Sequence, residues 1–109
     1  MPYNAHIEER IQNIIRHWEN TTRKKMFGGI CHLLNGNMFC GVYRDFLILR
    51  LGEEKGAAAL GRPHVRPCDI TGRPLKGWIM VAADGFRTDR DLADWLGQAH
   101  EFAGALPAK

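Results

Sequence analysis

Apolar residues near the start of the chain recur at the spacing of a helix. Over residues 5–19 they stand four, three, one and three positions apart, which places them on one stripe. Asn4 is suited to cap this helix, and Glu8 and Glu9 lie near the positive end of the helix dipole. The pattern predicts a first helix that faces the core through Ile7, Ile11, Ile14, Ile15 and Trp18.

Two tight turns divide the next part of the chain into three strands. The pair Asn35-Gly36 separates the apolar runs 26–34 and 37–43, and an Asn-Gly pair in this position is the strongest short-range signal of a β-hairpin. The pair Arg44-Asp45 forms a second two-residue turn into the run 46–51. The sequence therefore predicts a meander of three antiparallel strands.

The same two turns determine which side chains share a face of the sheet. Alternate residues point to opposite sides, so two-residue turns place Cys31 opposite Cys40 and Val42 opposite Leu47. The predicted core face holds Cys31, Leu33, Met38, Cys40, Val42, Leu47, Leu49 and Leu51. The predicted outer face holds Ile30, His32, Phe39, Tyr43, Phe46, Ile48 and Arg50, a strongly aromatic set for a surface in water.

The rest of the chain supplies two more helices and at least one strand. Residues 53–60 predict a short helix, and residues 77–82 predict a strand, with room for a further strand at 83–86. Thr88 can cap a final helix that ends at Pro107. The order is α-βββ-α-β-α. We expect one domain over residues 1–109, an α+β two-layer sandwich in which helices pack on one face of an antiparallel sheet.

Composition narrows the class of protein. The chain is 45% apolar and 25% charged, which is typical of a globular protein. Its longest apolar run, 78–83, has six residues, against the roughly 20 that a transmembrane helix needs. Residues 1–10 show no apolar signal region, and three cysteines do not suggest a disulfide framework. We therefore expect a cytoplasmic protein that does not contact a membrane.

The excess positive charge is concentrated in the proline-rich loop 62–76. Four cations stand there against one acid, Asp69, while the rest of the chain holds eleven residues of each sign. Prolines stiffen the backbone, and fixed arginines suit phosphate or carboxylate ligands. Alternatively, these cations pair with Asp69 and helix acids and only hold the loop in place. The candidate residues of an anion-binding or nucleic-acid-binding site are Arg62, His64, Arg66, Arg73 and Lys76.

Signals of catalysis are weaker. His64, Cys68 and Asp69 offer ligand atoms, but no second spaced pair completes a tetrahedral set, so neither a metal nor a cofactor is expected. Cys68 is the one cysteine placed for reactivity, because Cys31 and Cys40 fall on the predicted core face. Paired carboxylates, a Ser-His-Asp arrangement and a nucleotide fingerprint are all absent from the sequence. The pattern favours a binding protein, with a Cys68–His64 enzyme as an alternative.

Arg50 marks a second candidate surface. It interrupts an apolar strand and faces His32 and Phe39 in the predicted register. An arginine in this setting either lies flat over aromatic rings or forms the centre of a partner-binding surface. The resulting hypothesis is a protein partner, or a second copy of the chain in a homodimer, bound on the face around Phe39, Ile48 and Arg50.

Two segments carry a resemblance to a known family. The run KMFGGI at 25–30 and the loop 62–78, with its runs RPHVRP and TGRPLKGW, resemble the N-terminal domain of the TfoX (Sxy) family of bacterial competence regulators. The likeness extends over roughly residues 9–106. It implies a fold of the secretion-chaperone-like type and, in full-length relatives, a role as a transcriptional co-regulator of DNA-uptake genes. Those relatives carry a second, C-terminal domain, whereas this sequence stops at Lys109, so we expect a stand-alone single-domain member to which the regulatory role transfers poorly. The resemblance attaches no catalytic role to the matching segments.

Overall fold

The computed structural model describes residues 3–26 and 28–109. In this part of the chain, three helices and six strands form the domain. The helices are α1 (Ala5–Ile15), α2 (Glu53–Ala59) and α3 (Asp89–Gly104), and Ala83–Phe86 form a turn of 3-10 helix. The strands are β1 (Thr21–Met26), β2 (Gly29–Leu34), β3 (Asn37–Tyr43), β4 (Phe46–Arg50), β5 (Val65–Pro67) and β6 (Trp78–Val81).

The six strands form one antiparallel sheet in the order β1-β2-β3-β4-β6-β5. The expected α+β fold is confirmed. The sequence did not predict the two edge strands, and the segment 83–86, offered as a further strand, is the 3-10 turn. Both edges lack the apolar alternation of a buried strand, because β1 is mostly exposed and rich in cations and β5 contains two exposed residues out of three.

Local signals at the helix and strand ends are confirmed. The Asn4 side chain accepts hydrogen bonds from the backbone N–H groups of His6 and Ile7, and the Thr88 hydroxyl accepts one from the Asp91 N–H. Asn35 and Gly36 have φ angles of 52° and 84°, as a tight hairpin turn with both central residues left-handed requires. These features depend on a few adjacent residues, which is why the sequence predicts them well.

A β-bulge at Phe39 overturns the predicted register between β2 and β3. Leu33 pairs with Met38 as predicted, but His32 then pairs with Cys40, so Phe39 is an extra residue in β3. The predicted pairing of Cys31 with Cys40 is therefore wrong. Because side chains alternate along a strand, this one-residue shift exchanges the two faces of β2.

The bulge changes which residues form the main core. This core lies on the inner face of the sheet, which we define as the face covered by α1 and α3. The predicted inward residues of β4, Leu47 and Leu49, are buried there as expected, together with Leu51 just beyond the strand. Ile30 and Phe39, predicted to lie on the outer face, are also in this core, and Phe39 is completely buried. The placement of Phe39 on an exposed surface is therefore wrong.

Candidate binding surface

The outer face of the sheet, opposite α1 and α3, carries a second and smaller apolar cluster. Ile48 of β4 and Met80 of β6 are buried in it with Cys68. Residues 68–77, which we call the cover loop, connect β5 to β6 and contribute Cys68 and Ile70 to this cluster. The loop is closed by its own backbone, because the Leu75 N–H donates to the Cys68 carbonyl at 3.0 Å and the Gly72 N–H to that of Asp69 at 2.8 Å.

A pocket of about 180 Å³ lies between the cover loop and the sheet. Its lining includes residues from the sheet and from the loop, and none of the described lining residues is charged. Cys31 and Met38, predicted to be core residues, line this pocket because of the bulge. We call it the outer pocket, and its principal lining residues are Cys31, Met38, Tyr43, Ile48, Cys68 and Trp78.

Three arginines lie against aromatic rings of the outer cluster. The Arg44 guanidinium carbon is 5.3 Å from the centroid of the Tyr43 ring, that of Arg66 is 5.7 Å from Phe46, and that of Arg50 is 5.6 Å from Trp78. All three rings are partly buried and pack on the outer cluster. Such cation–π pairs hold an arginine in place and leave its N–H groups free to donate to a partner.

The structure separates the residues that the sequence grouped in the basic loop. Arg66, Arg73 and Lys76 belong to β5 or the cover loop and are exposed. Arg62 instead contacts α3, with 4.1 Å between its guanidinium carbon and the centroid of the Trp95 ring. His64 lies beside the 3-10 turn, where its backbone carbonyl accepts a hydrogen bond from the Ala82 N–H. The loop cations therefore do not form a single patch.

The predicted pairing of these cations with acids is not observed. Among the described residues, the ion pairs involve Arg10, Arg23, His32, Lys55 and Arg87, and none involves a cation of the loop 62–76. Two of the loop arginines, Arg62 and Arg66, rest on aromatic rings instead. Their charge is therefore available to a partner.

The three cysteines are free and buried. Burial raises the pKa of Cys31 to about 11 and also raises the pKa of Cys40 and Cys68. At neutral pH the three side chains are therefore protonated thiols, which are poor nucleophiles. The sequence analysis had singled out Cys68 as the cysteine placed for reactivity, but its side chain is completely buried in the outer cluster.

A buried carboxylate on α1 is the polar feature that the sequence did not reveal. Glu8 is 4% exposed, and its oxygens contact His32 Nε2 at 2.8 Å and accept from Arg23 Nε at 2.6 Å and Gln12 Nε2 at 2.9 Å. Burial acts to raise the pKa of Glu8, but the hydrogen bonds from His32 and Arg23 outweigh it and the pKa lies below its ordinary value. The network ties α1 to β1 and β2 on the inner side, away from the outer pocket.

Residues 3–26 and 28–109 lack a metal-ion cluster and a membrane-spanning helix. No group of three or more His, Cys, Asp or Glu side chains is arranged there to hold a metal ion. None of the helices in the same residues combines the length and the apolar character required to cross a bilayer.

The fold and the outer surface define a small α+β domain with one sheet face covered by helices and the other partly covered by a loop. A model of the TfoX N-terminal domain matches residues 13–103 of the 109 residues, so the chain belongs to the TfoX N-terminal domain family. The resemblance carried by the two sequence segments is thereby confirmed. No curated protein and no solved structure shows a significant match to the chain.

Proposed function

We propose that this domain is a regulatory module without catalytic activity, which binds another protein through the outer face of its sheet. The three arginine–aromatic pairs on that face carry the proposal. Arginine, tyrosine and tryptophan are the residues most enriched among those that dominate binding energy at protein interfaces. Membership of the TfoX N-terminal domain family supports a role like that of competence regulators, namely control of transcription in the bacterial cytoplasm.

A matched pair of arginines provides the test. Arg66 and Arg62 belong to the same loop region, both are exposed and both lie on an aromatic ring, but Arg66 is on the outer face and Arg62 is beside α3. Affinity capture from native lysate would compare the wild-type domain with Arg66→Glu and Arg62→Glu, analysing retained protein and nucleic acid. A partner lost with Arg66→Glu and retained with Arg62→Glu supports the proposal. Equal retention by both variants contradicts it.

Self-association through the same face remains a prediction. Phe39, predicted to lie on this face, cannot serve as the test position, because it is buried in the main core and Phe39→Glu would disrupt folding rather than an interface. Phe46 is partly buried on the outer cluster. Sedimentation at high protein concentration should show a dimer that Phe46→Glu converts to a monomer, whereas a monomeric wild-type protein would exclude a homodimer.

Binding of nucleic acid is the second candidate, favoured by loop cations without ion pairs among the described residues. Phosphate contacts make affinity fall steeply with salt concentration. Arg66→Ala and Arg73→Ala should each weaken binding of DNA or RNA and reduce the salt slope by about one contact. Fluorescence anisotropy with labelled oligonucleotides measures this slope, and absence of binding at low salt would rule this candidate out.

A further inference from the structure

The outer pocket has the chemistry of a site for an apolar group. Its volume is about 180 Å³, and the side chains of its described lining are apolar apart from the Tyr43 hydroxyl, the Trp78 indole N–H and the thiols of Cys31 and Cys68. An apolar cavity of roughly 150 Å³ is large enough to bind benzene. The pocket can therefore hold one aromatic ring or roughly six to eight carbon atoms of an alkyl chain.

Cations surround this apolar pocket on several sides. Arg50 lies against Trp78, which lines it, and Lys24 is the cross-strand partner of Cys31, whose face it shares. Lys76 lines an adjoining cavity that shares Leu75 and Trp78 with the outer pocket. Arg66 lies against Phe46, which does not line the pocket but packs on the same outer cluster.

Acids near the same rim are fewer. Asp69 in the cover loop is exposed, and Glu53 lines the adjoining cavity. Three cations next to the pocket, Lys24, Arg50 and Lys76, thus stand with Arg66 of the same cluster against two acids, and the described lining carries no charge. An occupant with an apolar body and an anionic head satisfies both parts of this arrangement, since carboxylates pair well with arginine.

We propose that the outer pocket binds an amphipathic monocarboxylate, with its ring or short alkyl chain between the cover loop and the sheet and its carboxylate among the rim cations. This proposal does not rest on the protein partner proposed above, although both use the outer face of the sheet.

Straight-chain carboxylates provide the probe. Isothermal titration calorimetry with butanoate, hexanoate, octanoate and decanoate should show one saturable site per chain. Affinity should rise about fourfold for each added methylene, as expected for burial of a CH₂ group, and should level off when the pocket is full. Octanol and octylammonium, which have the same chain and a neutral or positive head, should bind several-fold more weakly than octanoate.

Variants test whether octanoate binding depends on the arginines of the outer cluster rather than on an arginine elsewhere on the surface. Arg50→Gln and Arg66→Gln should each weaken octanoate binding about threefold, because partly exposed ion pairs are individually modest. Arg62→Gln, whose arginine lies on Trp95 beside α3, should leave it unchanged. The chain-length and head-group series use the wild-type protein and so remain decisive if a variant does not fold.

Three results would overturn the proposal. These are the absence of saturable octanoate binding, octanol or octylammonium binding as tightly as octanoate, and equal weakening by Arg62→Gln and Arg66→Gln. None of these results bears on whether a protein is captured by the outer face, because that experiment is read from retained partners. The two proposals can therefore fail separately.

Discussion

Arg50 and Trp78 are cross-strand partners on β4 and β6, and the arginine lies over the tryptophan ring with 5.6 Å between the guanidinium carbon and the ring centroid. The same guanidinium lies 5.5 Å from the ring centroid of Phe102 on α3. Arg50 therefore connects an outer-face ring with a helix that covers the inner face. This contact explains why an arginine stands at the end of an otherwise apolar strand.

Replacing Arg50 tests this double contact. Arg50→Ala should lower the free energy of unfolding by about 1–2 kcal/mol, because each cation–π contact contributes about 0.5–1 kcal/mol. Urea unfolding measures the loss. Arg66→Ala, which removes an arginine with a single recorded ring contact on an exposed edge strand, should cost less than Arg50→Ala. An equal cost for the two variants would contradict the connecting role of Arg50.

Glu8 should make stability depend on pH in the acid range. Its pKa in the folded protein lies below the ordinary value of 4.5, so its contribution is complete above that pH. The contribution is lost as the pH falls through the lower folded-state pKa. Glu8→Gln should therefore lower the free energy of unfolding by about 2 kcal/mol at neutral pH and by progressively less in acid. This loss is smaller than that expected for a fully buried ion pair, because Arg23 is half-exposed.

Thermal unfolding of wild-type protein and Glu8→Gln between pH 3 and pH 7 measures this convergence. The control is Glu9→Gln, which changes the neighbouring but exposed carboxylate and should have little effect at any pH. A constant difference between wild type and Glu8→Gln over the whole range would show that the carboxylate charge does not stabilise the fold.

Gly41 allows β2 and β3 to approach closely beyond the bulge. A Cβ atom added there would overlap the Ile30 carbonyl oxygen, a backbone atom that cannot rotate away. Gly41→Ala should lower the free energy of unfolding by about 1–3 kcal/mol, as overpacking does. Gly97→Ala is the matched control, because its Cβ would meet no atom within 4 Å on α3 and should stabilise the helix by about 0.5–1 kcal/mol. Denaturant midpoints of the two variants should shift in opposite directions.

The burial of all three cysteines predicts slow thiol chemistry. At pH 7.5 a disulfide reagent such as Ellman's should label Cys31, Cys40 and Cys68 much more slowly in the folded protein than in urea. Peptide mapping would identify the residue labelled first. Rapid and selective labelling of Cys68 would contradict its burial and support the hypothesis of an enzyme that uses Cys68 and His64.

Features that depend on adjacent residues could be predicted from the sequence. The caps at Asn4 and Thr88 and the turn at Asn35-Gly36 each need only a few neighbouring groups, and all three are observed. The bulge at Phe39 could not be predicted, because it depends on packing between distant parts of the chain. Phe39 enters the core beside Trp18, with 6.2 Å between ring centroids, and beside His100.

Only those parts of the candidate binding surface that depend on a local turn could be predicted from the sequence. The sequence identified Arg50 and Phe46 as members of an outer face because the second turn fixes the register of β3 and β4, and that register is observed. It missed the cover loop as a wall of a pocket and the network around Glu8, because both join residues that are far apart in sequence. Neither the contact of Arg62 with Trp95 nor that of Arg66 with Phe46 is visible in a local pattern.

The central claim is that the outer face of the sheet is the surface that binds a protein partner. Site-specific photo-crosslinking in living cells tests it most directly, with a photoreactive amino acid placed at Phe46 on the outer cluster or at Glu101, an exposed position on α3. We expect a discrete crosslinked protein from position 46 that disappears with Arg66→Glu, and none from position 101. Crosslinks to the same protein from position 101 but not from position 46 would contradict the claim.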